Sequence, residues 1–150
     1  MKPRSCTGLL ATLSLMFFLP HAQAKEGAPL GGIVMRAGAL TTNDGFVYCD
    51  LYDKEQGFPD EPKRAVARVK VRPVERKITC VFPGVKPGRY AVALWHDVDG
   101  DGEFDTNWLG IPTEPVGVSN NAKGTFGPPS FEDAAFDYKP PLVQQDIRME

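Results

Sequence analysis

The densest chemistry in this chain lies in His96-Asp97-Val98-Asp99-Gly100-Asp101-Gly102-Glu103-Phe104-Asp105, where four aspartates and one glutamate fall within nine residues. Carboxylates at that density repel one another unless a cation neutralises them. Calcium is a hard ion that takes six to eight oxygens, and an acidic loop with glycine at its bend can wrap several carboxylates and a carbonyl around it. Numbered from Asp97, the aspartates occupy loop positions 1, 3, 5 and 9, with Gly102 at 6 and Phe104 at the apolar position 8. These are the first nine residues of an EF-hand-like pattern. The pattern then breaks, because Trp108 stands at position 12 in place of the closing glutamate, and no helical periodicity flanks the loop. The reading is a calcium turn between β-strands, with Asp97, Asp99, Asp101, Glu103 and Asp105 as candidate ligands. Asn107, Glu114 or a backbone carbonyl would supply missing oxygens, at a weak affinity of about 0.1 to 1 mM typical of extracellular modules. The competing reading is an exposed Asp/Gly hairpin turn that binds nothing.

Little else in the sequence suggests catalysis. His96 stands beside Asp97, but a single histidine makes neither a zinc site nor a base with an orienting partner, and it is expected either to hold the structure or to support a ligand residue from behind. There is no Gly-x-Ser-x-Gly elbow and no HExxH. Carboxylate pairs alone can hydrolyse glycosides, so a carboxylate- or metal-dependent hydrolase stays as an alternative function.

The elements that must position this turn begin with an export signal. Lys2 and Arg4 precede an apolar run from Leu9 to Leu19, followed by Pro20 and Ala22-Gln23-Ala24, the order of a cleavable secretory signal at residues 1–24. The run is far shorter than the roughly 20 residues of a membrane-crossing helix. Residues 25–150 then form one domain in the periplasm or outside the cell, with no stable membrane insertion. Losing Lys2 and Arg4 takes the formal charge from −2 to −4, which argues against nucleic acid as a partner.

Fourteen prolines and fifteen glycines spread along the chain punctuate a protein of many short strands. Alternation predicts strands at 32–37, 45–52, 67–72, 77–82, 89–96, 135–138 and 144–149. Seven strands of this kind point to an all-β, immunoglobulin-like sandwich. Asn43-Asp44-Gly45 marks a tight turn, and Ser130-Phe131-Glu132-Asp133 can cap one helical turn. Tyr90, after Pro87-Gly88-Arg89, sits where sandwich folds place a tyrosine that bonds back to the chain. Cys49 shares a row with Val47 and Leu51, and Cys80 with Ile78 and Phe82, so both sulfurs point inward. In an oxidising compartment that points to a Cys49–Cys80 disulfide, the alternative being two buried free thiols. Arg68, Lys70 and Arg72 share one strand face, read as a solvated or edge-protecting surface, or as a site for an anionic partner.

The runs Pro87 to Ala93, His96 to Asp105, Leu109-Gly110-Ile111-Pro112-Thr113-Glu114-Pro115, Gly117 to Ala122 and Phe126 to Ala134 together resemble the exported bacterial proteins grouped as domain of unknown function 2141. The resemblance implies a periplasmic or secreted β-sandwich, similar in architecture to transthyretin-like domains, and supplies no established activity. Its acidic loop often carries Gly and Asn where this chain has Asp99 and Asp101, so calcium is not implied for every member. The segment from Val116 to Phe131, rich in Gly, Pro and Asn, reads as a long loop without regular structure. It is expected either to fold over the acidic turn, with Glu114, Ser119, Asn120 or Asn121 contributing to a bound ion or molecule, or to be a mobile loop uncoupled from it. The function expected from all this is a calcium-stabilised binding or accessory module for an envelope glycan, peptide or protein. The third alternative is a purely structural or stress-related envelope protein.

Overall fold

The computed structural model describes residues 31–150, and the export signal read at residues 1–24 lies outside them. Two sheets face each other. The smaller contains β4 (Ile78–Pro83), β1 (Gly32–Ala37) and β8 (Leu142–Ile147) in that order, with β1 antiparallel to β4 and parallel to β8. The larger runs β3 (Ala67–Val71), β2 (Phe46–Tyr52), β5 (Gly88–Asp97) and β6 (Val116–Val118), and β7 (Phe136–Tyr138) pairs with the first residues of β5. The architecture is the all-β sandwich that the alternating segments predict.

Alternation explains which side chains meet in the middle. Val47, Cys49 and Leu51 of β2 and Val92 and Leu94 of β5 point toward Ile33, Met35, Cys80 and Phe82 of the opposite sheet, all nearly or fully buried. Cys49 and Cys80 form a disulfide that ties the two sheets together. Its sequence separation of 31 constrains the unfolded chain by about 3 to 4 kcal/mol in the chain-entropy description.

The outward row of the larger sheet is covered as well. Tyr52, Ala91, Ala93 and Val118 pack under Phe131 and Ala134 of a short helix, α1 (Phe131–Ala134). The helix starts as expected, with Ser130 Oγ accepting from the Asp133 amide at 3.1 Å. Burying Phe131 contributes about 1.5 to 3 kcal/mol. With both faces covered, β5 can be apolar almost throughout and still be antiparallel.

The structure departs from the expected order at one point. Residues 116–131 are not all loop, since Val116–Val118 forms β6 and Ser119–Asn121 a 3-10 turn. A three-residue strand is too short to show alternation, so the sequence pattern gives seven strands where the described residues form eight. Tyr90 does bond back to the chain, its hydroxyl donating to the Lys86 carbonyl at 3.0 Å. β3 is the edge of its sheet, with Arg68, Lys70 and Arg72 exposed and Val69 and Val71 half-buried.

Candidate metal centre

The acidic turn grows directly from the end of β5. Asp97 is the last residue of that strand and is fully buried. Its Oδ1 accepts from the Gly100 amide at 2.8 Å and its Oδ2 from the Gly102 amide at 3.1 Å, so one side chain folds the following five residues around itself. Gly100 and Gly102 have φ of 80° and 81°, which a side chain would oppose. Asp99 Oδ1 accepts from the Asp101 amide at 3.3 Å, and Asp101 Oδ1 from the Glu103 amide at 2.7 Å. Phe104 then anchors the turn to the sheet by packing edge-on against Trp95, with centroids 5.7 Å apart, while Tyr48 stacks on Trp95 at 4.5 Å.

Beneath the turn lies the 43–45 connection into β2. Gly45 has φ 66°, and a Cβ there would overlap the Asp97 carbonyl oxygen. His96 Nε2 is 2.9 Å from the Asp44 carbonyl, which makes the histidine a brace between the two turns, as its solitary position suggested. Its Nδ1 is buried without a protein partner.

Glu114 closes the arrangement. The chain leaves the acidic turn, makes a hairpin held by Thr113 N donating to Asp105 O at 3.0 Å, and returns with Glu114 under the turn. Glu114 is only 9 % exposed. Its Oε1 accepts from the Val98 amide at 2.9 Å, whereas Oε2 is buried with no hydrogen-bond partner. Oxygens of Asp97, Asp99 and Glu114 all lie within 4.8 Å of one another. Two oxygens on opposite sides of a calcium ion, each about 2.4 Å away, would be about that far apart. Burial is the main cause that pushes the Glu114 carboxyl above its ordinary range, and the charges of Asp97 and Asp105 add to it. The Val98 and Asp105 backbone groups act in the opposite direction, the second without meeting hydrogen-bond geometry. Each carboxylate oxygen carries two lone pairs, so Asp97 keeps acceptor capacity despite its two amides.

The remaining residues singled out in the sequence divide. Asp101, Glu103 and Asp105 are exposed on the turn. Asn107 Oδ1 accepts from the Leu109 and Ile111 amides at 2.9 and 3.1 Å, which organises the hairpin tip. Ser119, five residues beyond Glu114, is fully buried. It donates to Ala134 O at 2.6 Å and accepts from Val92 N at 2.9 Å. Asn120 donates to the Asp133 and Ala135 carbonyls, and Asn121 receives the Arg148 amide and donates to Asp146 O. These three side chains hold α1 and β8 against β6, and the structure does not bring them to the turn.

Sequence reasoning missed Asp50. It is 1 % exposed, and Arg68 grips both its oxygens, Nε to Oδ1 at 2.6 Å and Nη2 to Oδ2 at 2.8 Å. An aspartate between Tyr48 and Tyr52, in register with Arg68, was the available signal. Asp50 lies on the floor of an apolar cleft of about 780 Å³ over the larger sheet, with Trp95, Phe104, Leu109, Ile111 and Phe126 among its walls.

Neither the curated proteins nor the solved structures contain a match to this chain. Residues 37–145 match the family described as "Uncharacterized protein conserved in bacteria (DUF2141)", a span that takes in the turn, Glu114, both cysteines and the strands from β2 to β7 with most of β8, and the chain belongs to that family.

Proposed function

We propose that this protein is an exported binding or accessory module of the cell envelope whose acidic turn is held by calcium. The observation that carries the reading is Glu114, whose Oε2 is buried without a partner and whose carboxylate comes together with those of Asp97 and Asp99. A buried carboxylate oxygen left without a donor is costly, and a bound divalent cation removes that cost. The donor set is all oxygen, which suits calcium over zinc or copper. Asp97, Asp99 and Glu114 would form the inner set, with Asp101, carbonyl oxygens and water completing it. The ion would make the turn a fixed platform at one end of the sandwich. The disulfide and the signal-like start of the chain support an oxidising compartment outside the cytoplasm. Among the described residues, no helix is long and apolar enough to cross a membrane.

Thermal melting tests the reading. A few millimolar calcium should stabilise the protein by about 1 to 2 kcal/mol relative to chelator, a rise of roughly 3 to 10 °C in midpoint. The response should disappear in Asp97→Asn. A midpoint that does not move with calcium removes the ion from the account.

A further inference from the structure

The outward face of the larger sheet is covered at two places and open between them. α1 lies over Tyr52 and Ala91, and Phe104 of the acidic turn packs on Trp95. The strip between is set by register, with Asp50 opposite Ala93 and Ala93 opposite Val118. Ala93 is too small to fill the space above it, and the cleft of about 780 Å³ opens there. That size falls in the range of about 300 to 1,000 Å³ that holds small organic ligands. Among the residues that line the cleft, Leu109 is 60 % exposed, Ile111 54 % and Phe126 completely. Single exposed apolar residues are ordinary, but large ones gathered around one concave surface mark a binding site.

Charge selects the ligand. Among the described residues lining the cleft, the ionisable side chains are Asp50 and Asp60, with no lysine, arginine or histidine beside them. Arg68 grips the Asp50 carboxylate from the β3 side and lies over the Tyr48 ring at 4.9 Å, not among the residues of the cleft. The ion pair therefore keeps Asp50 ionised and presents its negative member to the cleft. Each Asp50 oxygen gives one lone pair to Arg68 and keeps another. A carboxylate or phosphate ligand would be repelled there, and a purely apolar one would take water from Asp50 without returning a donor. A protonated amine supplies donors and a positive charge, which the aromatic walls attract as well. We infer that this cleft is the ligand site of the module and takes a small organic amine, its ammonium group toward Asp50 and Asp60 and its apolar body against Trp95, Ile111 and Phe126. The inference rests on the binding-module reading, names its ligand class, and does not need the calcium ion.

The test is a titration of isotope-labelled protein in chelator, followed by amide chemical shifts, with probes that share one body and differ in charge: phenylbutylamine, phenylbutanol and phenylbutanoate. The expected result is saturable binding of the amine at millimolar concentration or below, with shifts at Ala93, Val118 and residues 109–112 and 126–129. The alcohol should bind about tenfold more weakly and the acid more weakly still. Asp50→Asn, which keeps an acceptor for Arg68, should weaken the amine about tenfold, with a melting curve to show that the variant is folded. Asp60 and Phe126 are exposed, so their variants keep the fold whatever becomes of Asp50→Asn. Asp60→Asn should weaken the amine about two- to fivefold and leave the alcohol unchanged, and Phe126→Ala should weaken both about three- to tenfold. Asp101→Asn should leave the amine unchanged. Equal affinity for amine and alcohol, absence of saturable amine binding, or an Asp101→Asn effect as large as that of Asp60→Asn overturns the inference, the last by moving the amine to the acidic turn. The calcium melting shift is measured separately, so either reading can fail without the other.

Discussion

The two ends of β6 present opposite solutions to the same problem of burying polar atoms. At its far end Ser119 is fully buried and both lone-pair and proton capacities are used, by Val92 N and Ala134 O. At its near end, two residues before the strand, Glu114 is 9 % exposed, and one of its oxygens is buried with no protein partner. Sequence reading named both among the candidate contacts of a bound ion or molecule. A buried polar group whose valences are all met by backbone is fastening the fold, and one with a valence left over is a place for something else to bind.

Variants at the two ends should therefore behave differently. The largest effect is expected for Ser119→Ala, which strands one buried amide and one buried carbonyl. It should cost about 2 to 4 kcal/mol in urea denaturation, equally with and without calcium. Glu114→Gln should do the reverse. The amide keeps an acceptor for Val98 N and can donate toward Asp97 and Asp99. Stability in chelator should rise by about 1 kcal/mol, while the melting response to calcium is lost.

Next comes pH. Glu114 is held above its ordinary value, so in chelator the folded state binds this proton more tightly than the unfolded chain does. Its favourable contribution is complete below the ordinary value of 4.5 and is lost as pH rises through the raised one. The midpoint difference between the native protein and Glu114→Gln, both in chelator, should therefore shrink as pH falls from 7 to 4.5. A gap that widens on acidification would mean that the carboxyl is held in its charged form by donors. The smallest effect belongs to Asp101→Asn. Asparagine can still accept from Glu103 N, so stability in chelator should change by less than about 0.5 kcal/mol, with only a modest loss of calcium response.

Much of the frame was legible in the sequence because its causes are local. Period-two alternation marked most of the strands, the inward rows of Cys49 and Cys80 indicated the disulfide, and Ser130 announced the helical turn. What could not be read was set by long-range pairing. Val116–Val118 becomes a strand only because β5 offers an edge, and the 3-10 turn after it follows from the seam with β8. Asp97 and Asp99 were visible as an acidic run, but only the fold shows that Glu114, a distant and lesser candidate, lies beneath them. It also shows that Ser119, Asn120 and Asn121 are occupied elsewhere. Asp50 was hidden by its neighbours, since a carboxylate in an apolar strand acquires meaning only when Arg68 is seen across from it.

β5 is hydrogen-bonded along both edges and covered on both faces, which makes it the stretch of backbone whose opening requires the whole domain to open. Asp97 terminates that strand. The turn hangs from the end of that strand, so the two amides that Asp97 holds, Gly100 N and Gly102 N, are tied to the rim of the core itself.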